Sequence, residues 1–177
     1  MQLLTSSDQI HIIPGSPQAI VHLKRSGYKT IVVTNQTVVA KGLLTEAGVI
    51  AIHNKLQELL LASSGETIDA YYFCPHHPRA TLIEYRVNCN CRKPKIGLFQ
   101  QAAYDWKIDL NRSWMIGDRP SDILAGKQAG CKTILVLSGR HLDPPIETEF
   151  DLTNVTPDYV CKNLLEAQQI ITGGQLH

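Results

Sequence analysis

Lys29-Thr30-Ile31-Val32-Val33-Thr34-Asn35-Gln36 is the stretch on which the fold turns. Three β-branched apolar residues in a row, with no polar alternation, describe a strand over Lys29 to Thr34 buried on both faces, the habit of parallel sheets covered by helices. Thr34, Asn35 and Gln36 then fall at its C-terminal end, where open α/β sheets bind their ligands. Upstream, Pro17 to Arg25 carries Ala19, Ile20, Val21 and Leu23 and closes at Gly27, which predicts a helix with a glycine stop. Downstream, Thr45 is a good N-cap for a long helix to Ser63, followed by a strand around Ile68 to Phe73. Ile96 to Trp106 reads as helical. Ser113 to Ile116 reads as a short strand ending in Gly117-Asp118-Arg119-Pro120-Ser121-Asp122, with a helix beyond it to Gly130. Strands at Thr133 to Leu137 and near Tyr159-Val160, and a helix from Asn163 to about Ile171, complete the set. Strands alternating with helices predict an α/β protein of βα units, with one domain over residues 1–172 and a frayed tail over 173–177.

Composition agrees with such a domain and excludes several functions. The 177 residues are 44% hydrophobic and 19% charged, with a net charge of +1 and no block of Lys or Arg. A nucleic-acid-binding surface would need such a block, so nucleic acid is not an expected partner. No apolar run reaches the length of a membrane helix, and the first eight residues lack the basic and apolar regions of a signal peptide. A cytoplasmic location is the default expectation. Cys131 and Cys161 stand in apolar contexts and fit small core residues of a reducing compartment.

The densest chemistry lies between the second and third predicted strands. Cys74-Pro75-His76 and Cys89-Asn90-Cys91 are two ligand pairs at i, i+2 separated by twelve residues. Three thiolates and an imidazole make the ligand set of a closed, four-coordinate structural zinc, and a loop over 74–91 tied this way need not bury a core of its own. Buried cysteines or a disulfide are the alternative. Three cysteines cannot pair completely, however, and the intervening segment is too polar for core.

Three further features fall at predicted strand ends: Thr34-Asn35-Gln36, the Arg92-Lys93 pair, and Gly117-Asp118 with Asp122. Together they would make a pocket for a phosphate and a divalent metal. A hydroxyl and backbone N–H groups take phosphoryl oxygens, lysine neutralises developing charge, and a strand-end carboxylate holds magnesium. Taken singly, each has a plain structural reading. Thr34 could end a strand, Lys93 could be a solvated charge, and Asp118 and Asp122 could be a turn residue and a first-turn helix carboxylate.

The order of these motifs resembles the haloacid dehalogenase (HAD) superfamily of phosphatases, in which a Thr or Ser motif, a Lys motif and a G-D-x-x-x-D motif follow one another on a Rossmann-like, three-layer parallel sheet. Val33-Thr34-Asn35-Gln36, Tyr72-Phe73-Cys74-Pro75-His76-His77-Pro78, Cys89-Asn90-Cys91-Arg92-Lys93-Pro94 and Met115-Ile116-Gly117-Asp118 are similar to the zinc-containing D-glycero-D-manno-heptose 1,7-bisphosphate phosphatases and the related histidinol-phosphatase domains. The twelve-residue spacing between His76 and Cys89 resembles the longer loop of the heptose enzymes. The resemblance implies hydrolysis of a small sugar phosphate by a monomer, through an aspartyl-phosphate. It implies that Thr34 holds the transferring phosphoryl group, that Lys93 neutralises it, and that Arg92 recognises substrate. Asn35, Gln36 and Thr37 match the substrate-contacting run, Asp118 would bind Mg2+ and Arg119 stands beside the metal, while Zn2+ at Cys74, His76, Cys89 and Cys91 orders the loop. Thr37-Val38 replaces the more usual Ser-Gly, and a β-branched valine removes backbone freedom from that loop.

One part of the pattern is missing. The family places ahead of all this an apolar strand ending in D-x-D-G-T, whose aspartates are nucleophile and general acid/base; the sequence contains no D-x-D, and Asp8 does not replace it. Without that pair the chain as written is expected to be inactive. In the superfamily this strand is central, between the Lys29–Thr34 and Ser113–Ile116 strands. Its absence predicts a gap with two open edges and a tendency to associate. A start that omits part of the natural protein, or a non-catalytic module that binds a phosphorylated ligand or a protein partner, would each account for it.

Overall fold

The computed structural model describes residues 3–143 and 150–173, so the expected frayed tail lies, from residue 174 on, outside the described residues. The chain divides into two compact units, Met1–Arg92 and Lys93–His177. Its strands form two parallel sheets, which bears out the α/β class.

The first unit runs α1 (Ser16–Arg25), β1 (Ile31–Asn35), α2 (Thr37–Ala40), α3 (Glu46–Ser64) and β2 (Ala70–Cys74). Pro17 starts α1 where its missing N–H costs nothing, and Ala19, Ile20 and Leu23 are the buried residues at helical spacing. Thr45 caps α3 by accepting the Gly48 N–H at 3.0 Å, and Gly65, at φ +74°, ends it in the left-handed region. Strands β1 and β2 pair in parallel from Ile31 opposite Ala70 to Asn35 opposite Cys74. Their N-terminal ends are fastened by Asp69, whose Oδ2 accepts the Thr30 N–H at 2.7 Å and the Thr30 hydroxyl at 3.0 Å. Lys24 and Lys29 approach its other oxygen at 3.5 and 3.8 Å.

The substrate loop expected after Gln36 is a turn of helix instead. Val38 and Val39 are buried, 3% and 1% exposed, and pack with Val49, Phe73 and Tyr85. A β-branched side chain stands there because the position is helical core, where glycine's freedom is not needed.

The second unit runs α4 (Gly97–Trp106), β3 (Trp114–Gly117), α5 (Pro120–Gln128), β4 (Lys132–Val136), β5 (Tyr159–Cys161) and α6 (Leu164–Ile171). Its sheet order is β3-β4-β5. Alternation along the strands sends Trp114, Ile116, Ile134 and Val136 to α6, while Met115 and Thr133 meet α5. Helices therefore cover both faces. α5 lies so close that a Cβ at Gly126 would come within 2.5 Å of Met115 Cβ. Asp158 repeats the fastening of the first unit, its Oδ2 taking the Thr133 N–H and hydroxyl at 2.7 Å each.

One expectation about burial fails, for a physical reason. Ile31-Val32-Val33 reads as a strand buried on both faces, yet every residue of β1 is only half buried. β1 has β2 as its one strand partner and β3 has β4, among the described residues, so each is a terminal strand. β4, paired on both sides, holds Thr133 and Ile134 at 0% exposure.

Candidate zinc and phosphate sites

β2 delivers the first residue of the candidate metal cluster. Cys74 is its last residue, wholly buried, and its main chain is fixed twice over, by pairing with Asn35 and by accepting the Gln36 N–H at 2.8 Å. The loop then returns so that His76, Cys89 and Cys91 meet Cys74, all four ligand atoms lying within 4.8 Å of one another. Sulfur separations are 3.6 Å for Cys74–Cys89, 3.2 Å for Cys89–Cys91 and 2.9 Å for Cys74–Cys91. His76 turns Nδ1 inward, 3.4 Å from Cys91 Sγ and 3.8 Å from Cys74 Sγ. A tetrahedron with zinc–sulfur bonds of ~2.3 Å has edges of about 3.8 Å, so the four atoms sit close to zinc geometry with a slight contraction. No pair is a disulfide. Burial pushes the Cys74 thiol far up, and burial also keeps Cys91 raised. Burial would raise Cys89 as well, but hydrogen bonds from Cys91, the Arg92 backbone and Cys74 bring it down to about 7. The donor set and its convergence fit zinc, which would displace the thiol protons on binding.

The metal loop is joined to the predicted substrate run within the first unit. Arg92 Nη1 donates to the His76 carbonyl at 3.0 Å and reaches the Thr37 hydroxyl at 3.4 Å. Burial lowers the guanidinium's proton affinity, opposed by the three nearby sulfurs; an arginine remains a cation under such shifts. Thr34 and Asn35 occupy the end of β1, Gln36 precedes α2, and Thr37 begins it. Thr34, Asn35, Gln36, Thr37 and Arg92 are accordingly gathered around the C-terminal end of β1 and the start of the metal loop.

The second unit holds Lys93, Asp118 and Arg119. Lys93 is not a solvated charge: it is 7% exposed and its Nζ lies 2.8 Å from Asp122 Oδ1, itself in a residue 6% exposed. The other oxygen of Asp122 accepts the N–H groups of Asp118 and Arg119 at 3.2 and 3.1 Å, which shapes the turn between β3 and α5. A Cβ at Gly117 would overlap the Asp122 side chain, so glycine is required there by space alone. Asp118 is half buried at the end of β3, and its Oδ2 accepts the Arg140 N–H at 2.6 Å. Arg119 pairs with Asp143 at 2.7 Å. Magnesium is commonly held by one or two carboxylates completed by water and phosphate oxygens, and Asp118 suits one such position. Among the described residues no second group of three His, Cys, Asp or Glu gathers for a metal.

Two parts of this site escaped the sequence reading. Asp122 was placed in the pocket without a role of its own, or as a first-turn carboxylate, whereas it neutralises Lys93. The 138–143 turn was not singled out, although it touches both Asp118 and Arg119; glycine at 139, directly after a predicted strand, was the available signal.

A HAD-hydrolase-like family model matches residues 90–167. The D-glycero-β-D-manno-heptose-1,7-bisphosphate 7-phosphatase of Haemophilus ducreyi is 38% identical over 82% of this chain and 80% of its own. That of Pasteurella multocida is 35% identical over 94% of this chain and 86% of its own. The crystal structure of the D,D-heptose 1,7-bisphosphate phosphatase from B. bronchiseptica, complexed with magnesium and phosphate, superposes with a TM-score of 0.78 at 32% identity, covering 97% of this chain and 89% of that one. Among the described residues no helix is long and apolar enough to cross a membrane. With metal ligands, strand-end motifs and overall similarity in agreement, the chain belongs to the D-glycero-D-manno-heptose 1,7-bisphosphate 7-phosphatase family of HAD-like hydrolases.

Proposed function

We propose that this chain carries the substrate-binding and zinc-ordered parts of a phosphatase acting on D-glycero-D-manno-heptose 1,7-bisphosphate, and that hydrolysis further requires an Asp-x-Asp pair that its sequence does not contain. The observation that carries the reading is the join of the Cys/His cluster to Thr37 through Arg92, and to Asn35 and Gln36 through the β1–β2 pairing. Zinc at Cys74, His76, Cys89 and Cys91 would fix the loop that presents Arg92. Thr34 would donate to the transferring phosphoryl group while Asn35, Gln36 and Arg119 contact substrate, and buried Lys93 would offset the charge that develops on it. Asp118 would hold magnesium, which supplies further charge neutralisation at the phosphate. The nucleophilic carboxylate and the acid that protonates the leaving alkoxide belong to the absent pair, and positioning alone does not replace them. Alignments with single relatives that run across both units support treating residues 1–172 as one phosphatase domain. Thiol ligands that must stay reduced support a cytoplasmic location.

The test is to place an apolar strand ending in D-x-D-G-T ahead of Gln9 and measure phosphate release. Release from heptose bisphosphate well above that from histidinol phosphate is the expected result, with none from the chain as written. A folded, zinc- and magnesium-loaded extended protein that releases no phosphate from any sugar phosphate would refute the reading. The lack of any D-x-D favours a second reading, a zinc-stabilised module that binds a phosphorylated ligand without turnover. Calorimetry that finds no affinity for any sugar phosphate removes it.

A further inference from the structure

Asp118, the proposed magnesium ligand, is held from the far side by the turn after β4. The Arg140 N–H lies 2.6 Å from Asp118 Oδ2, a short, charge-assisted bond. That approach is possible because residue 139 is glycine: a Cβ there would overlap the Asp118 carboxyl and lie 2.7 Å from its Cβ. The position demands glycine for space, since its φ lies outside the left-handed region. The same turn carries Asp143, whose Oδ2 takes Arg119 Nη2 at 2.7 Å and lies 4.0 Å from Arg140 Nε. Two neighbouring residues of the β3–α5 turn are thus held by the 138–143 turn, Asp118 by the Arg140 backbone N–H and Arg119 by the Asp143 carboxylate, while Asp122 holds their own backbone N–H groups.

We infer that Gly139 and the main chain of Arg140 are positioning elements for a divalent cation at Asp118. The amide engages Oδ2 and restrains rotation of the carboxyl, which would leave Oδ1 as the oxygen available to a cation. This rests on the reading of Asp118 as the cation's ligand. It adds that the affinity of that carboxylate is set by a backbone donor which only glycine at 139 admits. The Arg140 side chain takes no part.

Mn2+ titrated into the isotope-labelled full chain reports on this directly, because paramagnetic broadening of the amides of residues 117–119, 121 and 122 detects binding even at millimolar affinity and without turnover. Gly139→Ala is expected to weaken Mn2+ binding at least about tenfold, and Arg140→Ala, which keeps the amide, to leave it within about twofold. Replacing the Arg140 peptide N–H by an ester oxygen should weaken binding as Gly139→Ala does. This second variant decides the matter if Gly139→Ala fails to fold. Asp118→Asn should abolish the broadening. Unchanged binding in both backbone-directed variants, with loss in Asp118→Asn, would overturn the inference and leave Asp118 as the ligand. Broadening that survives Asp118→Asn, or that is absent from the unaltered chain, would sink the ligand assignment and the inference together.

Discussion

Replacing Asp122 by Asn should destabilise the second unit far more than loss of an ordinary hydrogen bond. Asp122 and Lys93 are 6% and 7% exposed, with 2.8 Å between Nζ and Oδ1. At an effective dielectric of about 20 their attraction is roughly 6 kcal/mol, most of which only offsets the cost of taking both ions out of water. Asp122→Asn keeps an acceptor for the Asp118 and Arg119 amides but removes the carboxylate charge 2.8 Å from the buried lysine cation. A loss of about 3–5 kcal/mol follows, a large part of a typical domain's stability. Asp122→Ala also strips the acceptor from two amides and should cost about 1–3 kcal/mol more. Replacing both partners by apolar residues, Lys93→Met with Asp122→Leu, should recover most of the loss, since neither charge is then stranded. Urea unfolding followed by tryptophan fluorescence reads this unit selectively, because Trp106 and Trp114, the two tryptophans of the chain, both lie in it. If Asp122→Asn unfolds within about 1 kcal/mol of the parent, or the double replacement is as unstable as the two single losses added, the buried pair is not what holds the turn.

Three further outcomes are expected. Zinc should bind one per chain with three sulfurs and one nitrogen, as X-ray absorption can count, and affinity should fall as pH drops below about 7. At that point Cys89 takes up its proton, while the raised Cys74 and Cys91 release theirs only on binding; metal uptake that liberates no protons would contradict the thiol assignment. Burial alone would raise Asp69, but the Thr30 hydrogen bonds with Lys24 and Lys29 hold it below the usual carboxylate range. Its stabilisation is therefore complete above about pH 4 and disappears as pH falls through the lowered value; Asp69→Asn should lose that acid-sensitive part, and an unaltered pH–stability curve in the variant would refute the linkage. On the reading that a D-x-D strand covers the edges of β1 and β3, the chain as written should self-associate in a concentration-dependent way by sedimentation, whereas the form extended by that strand should be monomeric. A monomeric unextended chain at high concentration would show that these edges are otherwise protected.

Much of the local structure was legible in advance. Thr45 and Asn163 announced the starts of α3 and α6, Gly27 the end of α1, and the runs at 31–35 and 132–136 their strands, because caps and turns depend on a few neighbouring residues. The Cys/His spacing was readable for a similar reason: chelation from two i, i+2 pairs is nearly a property of the loop itself. The absence of a D-x-D motif was equally visible.

What the one-dimensional pattern could not carry were partnerships between distant positions. Lys93 as an isolated letter looks solvated, and Asp122 looks like a first-turn carboxylate; only folding brings them to 2.8 Å and buries both. Val38 looks like a departure from a flexible loop until Val49 and Phe73 are found packed around it. Gly139 looks like a strand-end turn until the Asp118 carboxyl is found where its Cβ would be. Ile31-Val32-Val33 looks fully buried, because an apolar run records what a strand can bury; whether a neighbour is present to bury it is a matter of the sheet. The sequence alone determined which elements form and which residue types could bind zinc and phosphate. Tertiary structure decided which charges are paired, which glycines are required and which strands pair, since those depend on contacts between segments whose proximity no local pattern encodes.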